Sequence, residues 1–538
     1  MLRGLYRFYL YTVFIAMLLF ATFGVQGLLQ TALALTIFPE PYSTLSNANL
    51  VQAAVFAVVS LVTAGLFGGL HYWLIRRDMR NDTLAANGAV RAFFLNAVEV
   101  ITLPSAVGAG AFTLTGLGSP NAGGASYGTA YALTFLGLWA LIEWERRRAP
   151  ASTGAASVFQ RLHLYGAQLI LLFILTWLWL STIGLLVDEL AFGGRGSGIP
   201  LCAGFTICQG ANLLSEVAGT VWVMLFWLGY GWLSRNDTGS LLRKVMHFLS
   251  FGYGMVAILV GIYRGVSLLL LFLFKVPVQQ SSISGPFAEY DVLSPLTLGL
   301  LVVGVYMFWL RHAAQKQGEA KAEVSLTVQA ITTALLGVSF WWGCGLIVLN
   351  ALEYMAPSHT PLQPEDWVTA LALGITGIAY IPLEMLLRRH STQAAYIAPL
   401  RGFVLTLLGG GIMAGAIGGA TALYAYGTSL LGSPLDNWQY AAHAGLAAFV
   451  VGLSIVGLYL WTAIRAGFFH STAKEETTPT TSAVNIPSTI SVPAEDKSVE
   501  VATITSSPIA KVIDTLLAGK ISRDDAIMQI EHMMNQTV

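Results

Sequence analysis

Apolar residues run in long blocks along this chain, and polar residues gather in short breaks between them. Reading the blocks gives spans near 7–37, 50–75, 89–118, 126–147, 158–188, 212–234, 242–274, 291–313, 323–353, 366–389, 395–431 and 437–466. Crossing ~30 Å of hydrocarbon takes ~20 mostly apolar residues at ~1.5 Å each, and every block meets that length. The pattern therefore predicts an all-α, polytopic transmembrane helical bundle of about twelve helices. The odd-numbered helices are longer, at about 30 residues, which implies tilt or protrusion. The first block is too long for the core of a signal peptide and lacks a small-residue cleavage site, so it reads as a retained first helix.

The breaks alternate in chemistry. Those after even helices are basic, holding Arg76, Arg77, Arg80 and Arg91, then Arg146, Arg147, Arg148 and Arg161, and so on to Arg388, Arg389 and Arg401. Those after odd helices hold almost no Lys or Arg, only Arg195 and Lys275, and carry Asp, Glu, Pro, Gly and Ser instead. Basic loops stay on the cytoplasmic side, which puts both termini inside. Five even helices end on a Trp followed by Arg: Trp73 with Arg76, Trp144 with Arg146, Trp232 with Arg235, Trp309 with Arg311 and Trp461 with Arg465. An indole at headgroup depth beside a cation in water makes an interfacial anchor. Its regular return predicts a helical hairpin of about 80 residues recurring six times. Hairpins that all start inside are related by an axis along the membrane normal. They pair further into four-helix units near 1–150, 157–318 and 323–468. RGLYRFYLY (3–11) and QRLHLYGAQ (160–168) open the first two alike, whereas EVSLTVQAI does not match them.

The Arg-x-x-Tyr opening, the Trp/Arg helix end and the four-helix unit resemble domain-of-unknown-function family 5671 of bacterial membrane proteins. That resemblance covers most of residues 1–468 and implies a multipass protein of a bacterial cytoplasmic membrane. It brings no assigned activity and no functional residues.

After His470 the composition changes. Residues 471–507 are rich in Thr, Ser, Pro and Ala and read as a disordered linker. Within 508–535, Ile509, Val512, Ile513 and Leu516 form one helical stripe that stops at Gly519, and Ser522 opens a second short helix. This hairpin is similar to the short C-terminal domain appended to many bacterial membrane proteins. Two short helices bury little by themselves, so docking or self-association is the expected role.

Composition agrees with the block pattern: 55% of residues are hydrophobic, 10% are charged and the net charge is zero, which favours a lipid bilayer as surroundings and gives no basic surface for nucleic acid. No HExxH, CxxC or phosphate-loop motif occurs, so no cofactor, metal site or enzymatic activity is expected. Gly65/Gly69, Gly261/Gly265 and Gly411/Gly415/Gly419 recur at four-residue spacing and read as helix-packing positions. Ionisable residues within spans are the strongest functional leads, since each costs a few kcal/mol unless paired or hydrated. Arg264 and Glu216 both fall in the outer half of their helices and are candidates for an intramembrane pair. Glu99 precedes Pro104 by five residues and is a candidate proton or cation site. His443 has no spaced partner, and the histidines at 71, 163 and 247 read as interfacial. Cys202 and Cys208 share one outer loop and are candidates for a disulfide; Cys344, within an apolar helix, reads as a buried small residue. Two functions remain open: a non-enzymatic membrane scaffold or sensor, and a transporter or channel using Arg264, Glu216 and Glu99.

Overall fold

A computed structural model describes residues 2–38, 47–82, 88–117, 123–148, 155–192, 213–234, 237, 240–276, 288–317, 321–358, 362–389, 394–431 and 437–465. The chain divides into Met1–His470 and Ser471–Val538. The linker, the C-terminal hairpin, Cys202 and Cys208 lie outside the described residues.

Twelve helices among the described residues are long and apolar enough to cross a membrane. They are α1 (Leu2–Thr36), α2 (Asn47–Thr63, continuing through a π-helical turn at Ala64–Gly68 into Gly69–Asn81), α3 (Ala89–Leu117) and α4 (Gly123–Arg147). Then come α5 (Ala155–Phe192), α6 (Leu213–Ser234), α7 (Leu241–Leu273) and α8 (Ala288–Gln317). The last four are α9 (Lys321–Met355), α10 (Pro364–Gly377 and Tyr380–Arg389), α11 (Ala394–Leu430) and α12 (Trp438–Arg465). All twelve match the apolar blocks within a few residues. Large apolar side chains such as Phe173, Phe272 and Leu423 stand more than two-thirds exposed, a surface that suits lipid and would aggregate in water.

Local chemistry sets several helix starts. Ser240 caps α7, its hydroxyl accepting the Arg243 amide hydrogen at 3.4 Å. Pro364 opens α10 where no amide hydrogen is needed, and Asp366 accepts the Gln363 amide at 2.9 Å.

The helices pack in one recurring order. Sequential pairs form hairpins: α1 with α2, α3 with α4, and so on to α11 with α12. The first helix of each set of four also packs against the third and fourth: α1 on α3 and α4, α5 on α7 and α8, α9 on α11 and α12. Between sets, α3 packs on α5 and α6, and α7 packs on α9 and α10. The main core lies where α3 enters the next set, with Leu103, Val107 and Ala111 of α3 against Leu171, Leu175, Val223 and the fully buried Trp227.

Glycine allows the closest crossings. A Cβ on Gly452 would lie 2.3 Å from the Gly415 nitrogen, and one on Gly377 2.3 Å from the Phe340 nitrogen, so α12 meets α11 and α10 meets α9 backbone to backbone. Gly411, Gly415 and Gly419 face α12, and Gly261 faces Leu296 of α8, as packing positions should. Gly65 and Gly69 differ: nothing lies within 4 Å of a Cβ there, because they sit beside the π turn on the open side of α2. Trp73, Trp144, Trp232 and Trp461 are more than half exposed at the arginine-rich end, as anchors should be. Trp309 is the exception. It turns inward over Gly231 and packs on Trp227, Tyr306 and His247, because the missing Cβ at Gly231 opens space for the indole.

Candidate functional site

The costly polar residues collect at the arginine-rich end of the bundle and join neighbouring helices. Glu99 of α3 is fully buried. Its carboxylate lies 2.8 Å from His163 Nδ1 of α5 and 3.1 Å from Arg146 Nε of α4. His163 Nε2 lies 3.4 Å from the Tyr230 hydroxyl of α6. The imidazole thus lies between the Glu99 carboxylate and the Tyr230 hydroxyl, bridging α3 and α6. Arg146 also bonds Glu143 at 2.5 Å, and Glu143 accepts from Arg147 at 2.7 Å. Glu99 and Glu143 share the Arg146 guanidinium. Four helices thus share one network with two carboxylates and two arginines.

Three further ties lie at the same end. Arg7 of α1 bonds Asp78 at 2.7 Å and Asp82 at 2.6 Å. Glu145 of α4 holds Arg76 of α2 at 2.7 Å and the buried Arg91 of α3 at 2.8 Å. Asp237 accepts from Arg161 at 3.0 Å and from the Tyr165 hydroxyl at 2.9 Å, both on α5. A pocket of about 120 Å³ opens beside the first tie, lined by Arg7, Tyr11, Asp78 and Arg91 among others. In the last set, Arg388 donates to Glu384, and the Tyr380 and Tyr459 hydroxyls bond each other between α10 and α12.

Some of these ties occupy matching positions in the first two sets. Arg7 and Tyr11 on α1 correspond to Arg161 and Tyr165 on α5, and Asp78 corresponds to Asp237 five residues past its tryptophan. Tyr9 and His71 meet at 3.4 Å between α1 and α2, while His163 and Tyr230 meet at 3.4 Å between α5 and α6, with the ring types exchanged.

The candidate residues have different fates. Glu99 lies in the network above. Glu216, in the first turn of α6, is buried against the Ser181 hydroxyl of α5, and its Oε2 has no hydrogen-bond partner among the described residues. Arg264 is half-buried, with its guanidinium 5.9 Å from the ring of Tyr263. Glu216 and Arg264 do not form an ion pair. Sequence neighbourhood suggested that α6 and α7 touch, but α6 packs on α5 and α3, whereas α7 packs on α8, α9 and α10. The histidines also differ from expectation: His71, His163 and His247 are buried, because aromatic and carboxyl partners on adjacent helices enclose them. His443 gains a partner the sequence did not suggest, Glu353 of α9 at 2.8 Å, and Glu353 also accepts the Ser358 amide at 3.0 Å. Cys344 is half-buried and has a free thiol. Among the described residues no group of three or more His, Cys, Asp or Glu could hold a metal ion.

Sequence reasoning missed His163, Arg146, Glu143 and Tyr230 as partners of Glu99. The usable signal was the doubled Arg-x-x-x-Tyr of α1 and α5 with the Asp that follows the α2 and α6 tryptophans. No family model, curated protein or solved structure matches this chain.

Proposed function

We propose that this multipass membrane protein is a non-enzymatic scaffold or sensor, made of three four-helix units inserted in the same sense. The arginine-rich ends and both termini face the cytoplasm of a bacterial cell, and the C-terminal hairpin docks or self-associates there. The observation that carries this reading is the use made of the charged groups. Glu99, Arg91 and Glu145 are buried, and each is spent on joining helices. Buried charges held this way fix which helices meet, at a cost in desolvation that their partners offset. The recurring packing order supports three units.

The rival reading is a small-solute transporter or channel, in which the partnerless oxygen of Glu216 and the half-buried Arg264 line an aqueous path. Water access separates the two. With the native cysteines replaced by serine, single cysteines at Glu216 and Arg264 are exposed in intact cells to a membrane-impermeant thiol reagent. A scaffold leaves Glu216→Cys unlabelled while the protein stays folded. Fast labelling of both positions transfers the assignment to transport.

A further inference from the structure

The two boundaries between four-helix sets set matching positions of the third helix against the first helix of the next set. Arg91 and Arg243 mark equivalent starts of α3 and α7, each buried two residues into its helix. Nine residues on, Val100 of α3 faces Gly166 of α5, where a Cβ would stand 3.4 Å from Val100 Cγ1. Nine residues beyond Arg243, Gly252 of α7 faces Ile331 of α9, with a Cβ there 3.8 Å from Ile331 Cγ2. The stripe continues alike. Leu103, Val107 and Ala111 of α3 are buried in the second set. Met255, Leu259 and Tyr263 of α7 are half-buried, with Leu259 packed on the α9–α12 core and Tyr263 on a cluster that includes α10.

The third set carries a stripe on α11 on which no helix packs among the described residues. Arg401 stands seven residues after Ala394, where α11 starts, and counting from it as from Arg91 and Arg243 gives Gly410, Met413, Ile417 and Thr421. All four are exposed, Met413 at 60% and Ile417 at 59%. A Cβ at Gly410 would meet nothing within 4 Å. On the first set, the matching face of α1 is open among the described residues. Matching Arg7 and Tyr11 to Arg161 and Tyr165 makes Thr12 of α1 the counterpart of Gly166, and Thr12 is exposed. The α1 and α2 spans are the least buried of the twelve, at 17% and 11%.

The geometry points to a second copy of this chain as the occupant: the α11 stripe of one copy docks on the α1–α2 hairpin of the next, reproducing the contact that joins the sets internally. The inference rests on the three-unit reading above. Its physical support is the relation between sets. Units that all enter the membrane in the same sense are related by rotation about the membrane normal and translation in its plane. Separate copies inserted with one orientation obey the same relation, so the internal contact can form between chains without either turning over. Such a contact is heterologous, with different surfaces on the two partners, and it closes into a ring or extends as an array. In lipid the gain comes from close packing rather than from hydrophobic burial, and the open space at Gly410 and Gly409 permits close approach.

Cysteine cross-linking in native membranes tests this on the full chain, with the native cysteines replaced by serine. Gly410→Cys and Thr12→Cys are placed in differently tagged copies that are co-expressed. Val100→Cys with Gly166→Cys in one chain reports the internal contact, read as loss of free thiol on oxidation. The expected result is an interchain disulfide between the two tags in a yield close to that of the internal pair. Leu423→Cys, exposed on another face of α11, gives none with Thr12→Cys. Absence of the interchain product while the internal pair forms overturns the docking and leaves the three-unit fold; α11 then faces lipid. Cross-linking of Gly410→Cys to itself in preference to Thr12→Cys also overturns it, since that is a two-fold contact. Failure of the internal pair overturns both the three-unit reading and the docking built on it.

Discussion

The network around Glu99 predicts an asymmetry between two substitutions that a simple count of ion pairs would treat as equal. Arg146→Met removes the cation shared by Glu99 and Glu143, which lie 3.1 and 2.5 Å from it. Glu143 keeps Arg147 at 2.7 Å. Glu99 keeps only the His163 contact for a fully buried carboxyl, and the cation it shared with Glu143 is gone. Breaking a buried pair by removing one partner costs about 3–5 kcal/mol. Arg146 is 30% exposed, so water takes up part of the loss and the lower end, about 3 kcal/mol, is expected.

Glu99→Gln removes a charge from the same network yet strands nothing. Arg146 keeps Glu143, and the amide stays beside the His163 ring. The loss is that of one charge-assisted bond replaced by a neutral one, about 1 kcal/mol. The double variant no longer leaves a buried carboxylate without its cation. It should be less destabilised than the sum of the singles by about 1–2 kcal/mol, the coupling typical of contacting residues. Reversible unfolding in mixed micelles, or steric trapping in bicelles, measures all four proteins. Equal costs for the two single variants, or strict additivity in the double, would refute the reasoning, because either result means the groups do not share one buried network.

Gly452→Ala should separate α11 from α12, since its Cβ would lie 2.3 Å from a backbone nitrogen, and should cost about 1–3 kcal/mol. Gly409→Ala, with open space at its Cβ, should instead be neutral or stabilise by up to about 1 kcal/mol through helix propensity, so the two thermal midpoints in detergent should move in opposite directions. Gly231→Ala puts a methyl 1.8 Å from the Trp309 ring, so the indole should leave the Trp227 cluster, which a change in tryptophan fluorescence would report. Glu353→Leu strands His443 and the Ser358 amide at once and should cost about 1–3 kcal/mol, read as earlier unfolding.

The helices were legible because each apolar block is long and the bilayer imposes one length scale on all of them. Glycine spacing was legible where both members face a neighbour, as at Gly411 and Gly415, and misleading at Gly65 and Gly69, because spacing shows a shared face without showing what lies opposite. The candidate site was half legible. Glu99 announced itself by its cost within the span, but its partners come from α4 and α5, residues 47 and 64 positions away. Pairing Arg264 with Glu216 failed for the same reason. Adjacent helices in sequence are adjacent in space within a hairpin, but the loop between α6 and α7 joins two hairpins, and α6 packs on α5 and α3 instead.

The distribution of charge follows from these constraints together. An ionisable group near a helix end reaches water with its own stem or a neighbour's cation at small cost, whereas one at mid-depth has neither. Arg7, Arg76, Arg91, Arg146 and Arg161 all lie within about three turns of the end of a span, where carboxylates from adjacent helices also converge. Basic residues at these helix ends are thereby available to select which helices pack. Arginines recur at equivalent places in the first two sets: Arg7 with Arg161 at the first helix of a set, and Arg91 with Arg243 at the third. A substitution such as Arg91→Gln should then affect packing far more than orientation, because Arg76, Arg77 and Arg80 remain at the adjoining end of α2 while Glu145 loses its buried partner.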